Sequence, residues 1–226
     1  MTTSGSSVSF DSGIVPAPWR LRADAYAMMI KLPMPRGRAE LFAPSELAEA
    51  RFGQFGLVMY VDYAATPVGP YRELLFIPGT FRFGSRRLPS ITKIYVSTRA
   101  SVDSGQHNWG IPKELGAFDV VDGSDGVKRV TLRVGGAIAV ELWLRHDRLA
   151  LPVTSSLLPS GLRTLGQVLD GHTYEVAPHG RGLMQRAKVV HAWSEPGLFA
   201  DLAASRVFTA VRLSKFDLTF PRATVR

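Results

Sequence analysis

Short apolar or alternating segments separated by turn residues make up most of the chain. Segments such as 24–32 and 91–98 are rich in β-branched, aromatic and other apolar residues, and DGSDG at 122–126 is a strong hairpin signal. This pattern predicts the following strands: 24–32, 56–64, 70–77, 91–98, 117–121, 127–134, 137–145, 173–178, 183–193 and 206–219.

Helical signals are fewer. We predict helices over 43–52, with Ser45 as N-cap, over 99–108, and over 195–205, where Pro196 would occupy the first turn. Many strands, few helices and no regular helix–strand alternation favour an α+β fold that is mainly antiparallel β, closed into a barrel or a sandwich.

Composition is that of a soluble globular protein. The chain has 226 residues, of which 46% are hydrophobic and 20% charged. We predict a flexible tail over 1–13 and a single domain over 14–226. There is no apolar run of about 18 residues, and the polar start lacks signal-peptide regions, so we expect a cytoplasmic protein without a membrane partner.

Several function classes are disfavoured by residue content. With no cysteine, the chain has no disulfides and no thiolate chemistry. The net charge of +8 is scattered in short clusters without a glycine–aromatic signature, which does not favour a nucleic-acid partner. The histidines lack the spacing of metal ligands, so we predict no metal site.

The first stretch with candidate chemistry is VGPYRELLFIPG at 68–79. Strand alternation puts Tyr71, Glu73 and Leu75 on one face, so Glu73 shares its face with apolar residues. A carboxylate buried there needs a partner. The alternative is an exposed or ion-paired residue of a strand.

The second stretch is GQHNWGIPKEL at 105–115. Pro112 biases Ile111 towards extended geometry, so Lys113 is predicted to enter a strand. A lysine amine is a nucleophile only when neutral, which requires its pKa to fall from about 10.4 to about 6 or 7 through burial or a neighbouring positive charge. The alternative is a surface lysine at the start of a strand.

Together, GPYRE and WGIPKELGAF, forty positions later, resemble the acetoacetate decarboxylase family, and the closing FDLTFPRATV is similar to that family's last strand. The resemblance covers roughly residues 20 to 225. It implies a closed, cone-like antiparallel β-barrel with a few peripheral helices, and members that form homo-oligomers. By the same resemblance, Lys113 matches the Schiff-base lysine and Glu73 the active-site glutamate.

The sequence departs from the family pattern where a substrate carboxylate would be bound. The family's second lysine is replaced by Glu114, which strand alternation would point away from Lys113. The family's arginine near the N-terminus has no secure counterpart, since Asp24 aligns there and Arg22 is close by. Aldol or dehydration chemistry through an imine therefore fits better than decarboxylation of acetoacetate.

We predict a Schiff-base-forming lyase of this superfamily that acts on a small β-keto acid or oxo compound, by decarboxylation or by aldol or dehydration chemistry. The alternative is a non-catalytic, small-molecule-binding member of the same fold. No cofactor is expected beyond the covalent lysine imine, and the expected partners are a small keto substrate and further copies of the chain.

The predicted site has Lys113 and Glu73 as catalytic residues. Further candidate pocket residues are Tyr71, Trp109, His107, Gln106 and Arg22. Trp109 could instead belong to the core, and His107 could be structural.

Overall fold

The computed structural model describes residues 13–33, 42–47, 51–157 and 159–226. The predicted tail over 1–13 lies outside these residues except for Gly13. The strands, in chain order, are β1 Trp19–Lys31, β2 Arg51–Phe52, β3 Phe55–Ala65, β4 Tyr71–Ile77, β5 Thr80–Phe83, β6 Arg86–Pro89, β7 Lys93–Val96, β8 Lys113–Leu115, β9 Ala117–Asp122, β10 Lys128–Val134, β11 Ala137–Thr154, β12 Leu165–Leu169, β13 His172–Val176, β14 His179–Ser194, β15 Arg206–Phe220 and β16 Thr224–Val225. The helices are α1 Arg99–Trp109 and α2 Ser160–Arg163, with a 3₁₀ turn at Ser155–Leu157.

Ten strands form one sheet that curls until its ends meet. Its order is β8-β7-β4-β3-β1-β15-β14-β11-β10-β9, and all pairs are antiparallel except β7 with β8. The two end strands, β8 and β9, are separated in the chain only by Gly116. Because one residue cannot span an open ten-stranded sheet, the sheet closes into a barrel, as predicted. Two small sheets, β12-β13-β16 and β2-β5-β6, complete the fold.

Alternate side chains of the barrel strands supply two separate cores. On one face of β3 and β4, residues including Val58, Tyr60, Leu74 and Phe76 join side chains from β10 and β11 in a large apolar core. On the opposite face, Tyr71 and its alternate neighbours join Trp19, Trp109 and Ile111 in a second core. The predicted alternation of β4 is therefore confirmed, and Glu73 lies on the face of the second core.

Helix α1 confirms the helix predicted over 99–108. Thr98 is its N-cap, with a side chain that accepts from Ser101 N, and Gly110 ends it in the left-handed conformation at φ 60°. Asn108 ties it to the segment before β1, because its amide accepts from Ala17 N and donates to the carbonyl of Val15. After this helix, Gly110, Ile111 and Pro112 lead directly into β8.

The prediction of a helix over 43–52 is wrong for the described residues. Residues 42–47 form turns and Arg51–Phe52 form β2, while 48–50 lie outside the described residues. Ser45 does not cap a helix, because its hydroxyl donates to the carboxylate of Glu46. Leu47 packs into a small core with Phe81, Phe83 and Leu88, so tertiary packing outweighs the local helical signal.

The helix predicted over 195–205 is also wrong, because this segment is a series of turns. Ser194 organises it: its hydroxyl donates to the carbonyl of Ala200 and accepts from Leu202 N. Phe199 is fully buried in the large core. Burial of this ring and the serine bridge stabilise the turns instead of a helix.

The predicted strands are present, and β11 extends to Thr154, well beyond the predicted end at 145. The strands that the pattern missed are short ones, chiefly β5, β6, β12 and β16. Within the described part of the chain, no helix has the length and apolar character needed to cross a membrane.

The junction between α1 and β8 depends on Gly110. A Cβ at this position would lie 2.3 Å from Cδ2 of Tyr174, and the residue also has positive φ. Gly110→Ala should therefore lose roughly 1–2 kcal/mol through the left-handed backbone and about 1–3 kcal/mol through overpacking against Tyr174. Denaturant unfolding measures the sum.

Gly126→Ala is the matched control, since Gly126 has φ 73° but no atom within 4 Å of an added Cβ. It should lose only the backbone contribution. Equal losses for the two variants would contradict the steric role of Tyr174.

Candidate active site

The candidate site is built around a buried ion pair between Lys113 and Glu73. Lys113 Nζ lies 3.1 Å from Glu73 Oε2, and the two residues are 5% and 4% exposed. β4 presents Glu73, and β8 presents Lys113 from two strands away, with β7 between them. The sequence predicted that these residues would meet, and the structure brings them together.

The ammonium group of Lys113 has three hydrogen-bond acceptors. Besides Glu73, it donates to Ser101 Oγ at 3.1 Å and to Tyr71 OH at 3.4 Å. An ammonium has three N–H donors and no acceptor, so this environment satisfies the protonated form completely.

The electrostatics of the pair oppose a neutral amine in the free protein. Burial acts to lower the pKa of Lys113, but the negative charge of Glu73, with hydrogen bonds to Glu73 and Tyr71, raises this pKa above the usual lysine value of 10.5. From the sequence we expected burial or a neighbouring positive charge to leave the amine neutral. The carboxylate only 3.1 Å away has the opposite effect, because its charge stabilises the ammonium.

Two tyrosines complete the polar end of the site. Burial raises the pKa of Tyr71 and raises the pKa of Tyr63 well above the usual tyrosine value, with the charge of Glu73 contributing in both. Their rings are 4.6 Å apart. Both phenols are therefore neutral near pH 7, and the Tyr71 oxygen that accepts from Lys113 keeps a proton to donate.

Helix α1 positions the lysine side chain. Ser101 and Gly105 are four residues apart and lie on one face of α1. A Cβ on Gly105 would come within 2.6 Å of Lys113 Cδ, so glycine leaves the space through which the lysine side chain passes. Gln106 fixes the backbone, because its side-chain amide donates to the carbonyl of Lys113 at 2.9 Å.

The pair faces a partly open, mainly apolar cavity of about 520 Å³. Tyr71, Glu73, Leu75 and Ile77 of β4 line it in alternate positions, as expected for one strand face. Trp109 also lines it and donates its indole N–H to the carbonyl of Pro221 at 2.7 Å. The charged residues in the described lining are Glu73, Lys113 and Arg163.

The remaining predicted pocket residues lie outside this lining. His107 is exposed on α1, because it faces away from Ser101 and Gly105. Arg22 is exposed and lies 3.6 Å from Asp217, so the prediction that it contacts the pocket is wrong. Gln106 acts on the Lys113 backbone instead of lining the cavity. Sequence reasoning missed Arg163, which no motif marks.

Glu114 points away from the site, as strand alternation predicts. It is exposed and pairs with Lys93 Nζ at 2.6 Å on the other face of the sheet. Asp24 is likewise occupied elsewhere, since it pairs with Arg212 at 2.7 Å. Among the described residues, no group of three or more histidine, aspartate or glutamate side chains is arranged to hold a metal ion.

Together, a closed mixed barrel and a cavity containing a buried lysine–carboxylate pair define the fold class to which this chain can be compared. The chain has the acetoacetate decarboxylase-like fold, which it shares with several solved structures. Acetoacetate decarboxylase from Legionella pneumophila subsp. pneumophila str. Philadelphia 1 has a TM-score of 0.69 and 12% identity over 99% of this chain and 92% of that one.

Two further structures share the fold. An acetoacetate decarboxylase-like enzyme from Sphingomonas wittichii RW1 has a TM-score of 0.69 and 14% identity over 99% of both chains. The enduracididine biosynthesis enzyme MppR, complexed with the condensation product of pyruvate and imidazole 4-carboxaldehyde, has a TM-score of 0.65 and 14% identity over 100% of this chain and 97% of that one. No protein-family model and no curated protein matches the sequence.

Removal of the Glu73 charge should reverse the direction of the Lys113 pKa shift. In Glu73→Gln, burial remains while the charge is lost, so the pKa of Lys113 should fall below 10.5 instead of lying above it. NMR titration of the isotope-labelled lysine side chain measures both values.

Linkage gives a second readout of the same variant. The raised pKa stabilises the wild-type fold below pH 10.5, and this stability is lost as the pH rises through the higher folded-state value. In Glu73→Gln the pKa of Lys113 is lowered on folding, so protonation of this residue destabilises the fold instead of stabilising it. The gap in unfolding free energy between the two proteins should therefore shrink as the pH rises through the pKa of Lys113 in the variant and then through its higher pKa in the wild type. A constant gap would contradict the charge coupling.

Proposed function

We propose that this chain is a Schiff-base-forming lyase in which Lys113 is the nucleophile and Glu73 the proton acceptor and donor. The observation that carries the proposal is the buried pair itself, with Lys113 Nζ 3.1 Å from Glu73 Oε2 at the wall of a mainly apolar cavity. A lysine held in this way is costly to bury, which is a reason to expect a chemical role.

Activation of the lysine begins with proton transfer inside the pair. The ammonium of Lys113 gives a proton to the carboxylate of Glu73, which leaves a neutral amine beside a neutral acid. When a ligand displaces water from the cavity, this uncharged pair becomes more stable relative to the ion pair, because it avoids the desolvation of two charges.

The neutral amine then attacks the carbonyl carbon of an oxo compound to form a carbinolamine. Glu73 gives the first proton to the carbinolamine oxygen. It then takes a second proton from the nitrogen and passes it to the hydroxyl, so that one water molecule leaves as the iminium forms. Tyr71, whose OH is 3.4 Å from Lys113 Nζ, would hydrogen-bond the same oxygen. The iminium withdraws electrons from the adjacent carbon, so loss of a proton or of carbon dioxide from that carbon gives an enamine.

Chemistry on the enamine distinguishes the possible reactions. Protonation and hydrolysis complete a decarboxylation, whereas attack on an aldehyde completes an aldol condensation. MppR, with the same fold, has been solved with a condensation product of pyruvate and an aldehyde, which supports the second course. The imine is the only electron sink this scheme requires, so we propose no further cofactor, and we propose that the chain acts as a homo-oligomer.

The second candidate is a binding protein for small oxo compounds or other apolar ligands. It is favoured by the three acceptors around Lys113 Nζ, on Glu73, Ser101 and Tyr71. Against the effect of burial, the charge of Glu73 raises the pKa of Lys113 and favours the ammonium form in the free protein. In that case the ion pair would serve as a polar anchor and no imine would form.

Borohydride trapping with a panel of ketones separates the two candidates. We expect a mass increase on Lys113 with at least one ketone and none in Lys113→Met. Lys93→Met is the matched control, because Lys93 also pairs with a glutamate but lies on the other sheet face. In Lys93→Met, Lys113 should be trapped as in the wild type.

Failure to trap any ketone, while an acetoacetate decarboxylase is trapped in parallel, would support the binding protein. Modification of Lys93 in place of Lys113 would contradict the proposed site.

A further inference from the structure

The cavity is larger and more apolar than a small β-keto acid requires. Its volume of about 520 Å³ is in the range of pockets that hold drug-sized ligands. Between the polar end at Glu73 and the far end, the side chains of Leu57, Met59, Leu75 and Ile77 form apolar walls. A ligand that fills this space needs an apolar segment of matching length.

Arg163 marks the far end of the cavity. It is the last residue of the short helix α2, and this helix packs against β6. Within β6, Pro89 pairs with Thr80 of β5. Thr80 follows β4, whose residues lead away from Glu73 along the cavity wall. The strand end at Ile77 is four positions beyond Glu73, or about 13 Å along an extended strand.

The guanidinium group of Arg163 has capacity to bind a ligand. Its Nε is buried and has no hydrogen-bond partner in the described part of the chain. A buried guanidinium N–H without an acceptor is destabilising, whereas a carboxylate can accept from two of its donors at once. Within the described lining, it is also the only cation apart from Lys113.

From these observations we infer that the cavity binds an oxo acid whose carboxylate and ketone are separated by an apolar chain. Arg163 binds the carboxylate, the apolar walls contact the chain, and Lys113 meets the ketone. This inference rests on the proposed function for the ketone end only. A β-keto acid is too short for its carboxylate to contact Arg163 while its ketone contacts Lys113.

The position of the carboxylate also decides the reaction. Lys113 and the ketone condense with loss of one water, and the Glu73 carboxylate then takes a proton from the carbon next to the iminium, giving an enamine. The remote carboxylate stays bound to Arg163, so no carbon dioxide leaves. The site therefore performs enamine chemistry on a retained acid rather than decarboxylation.

Binding of octanoate by the wild-type chain tests the arginine subsite without any imine, because octanoate has no ketone. By calorimetry, Arg163→Gln should weaken binding by roughly tenfold to a hundredfold, as expected for loss of charge-assisted hydrogen bonds. Arg133→Gln is the matched control, since Arg133 is exposed on β10 outside the cavity lining and its loss changes the net charge equally. Octanamide and acetate should bind weakly to all three proteins.

Borohydride trapping then tests whether one ligand places its carboxylate at Arg163 and its ketone at Lys113 at the same time. An oxooctanoate with its ketone next to the terminal methyl group should be trapped on Lys113 at lower concentration than its methyl ester, and Arg163→Gln should abolish this difference. Acetoacetate should show no dependence on Arg163.

The outcomes separate the two proposals. Absence of octanoate binding, or equal binding by wild type and Arg163→Gln, overturns the inference even if ketones are trapped on Lys113. Octanoate binding that depends on Arg163, with no ketone trapped, retains the carboxylate subsite and overturns the lyase.

Discussion

The buried pair of Lys113 and Glu73 is the constraint on which the local structure depends. Each charge is almost completely removed from solvent, and loss of either partner would leave the other unpaired, at a typical expense of about 3–5 kcal/mol. The surrounding elements keep the pair together. β4 and β8 supply the two residues, Ser101 and Tyr71 complete the ammonium's hydrogen bonds, and Gly105 leaves space for the lysine side chain.

This constraint shapes the chemistry that the site can perform. A lysine activated only by burial would be neutral before substrate arrives, but here the carboxylate keeps it protonated in the free protein. The amine therefore becomes a nucleophile through transfer of its proton to Glu73, and the same carboxyl group can return that proton later. Neutral Tyr71 and Tyr63 extend this polar end, and the rest of the cavity is mainly apolar.

The sequence predicted the features that depend on local pattern and missed those that depend on tertiary context. Alternation in β4 was sufficient to place Glu73 with Tyr71 and Leu75, and Pro112 to place Lys113 in a strand. The segments 43–52 and 195–205 have helical sequence patterns, but burial of Leu47 and Phe199, with the hydrogen bonds of Ser194, favours turns over 42–47 and 195–205. Arg163 could not be predicted, because only packing of α2 against β6 brings it to the cavity.

The protonation state of Lys113 with a ligand in the cavity shows most directly whether Glu73 activates the lysine by accepting its proton. NMR of the isotope-labelled lysine side chain would be recorded for the free protein and for a complex with an unreactive ketone analogue that displaces cavity water. We predict an ammonium in the free protein and a neutral amine in the complex, with the proton on Glu73. An ammonium in both states would contradict activation of Lys113 by Glu73.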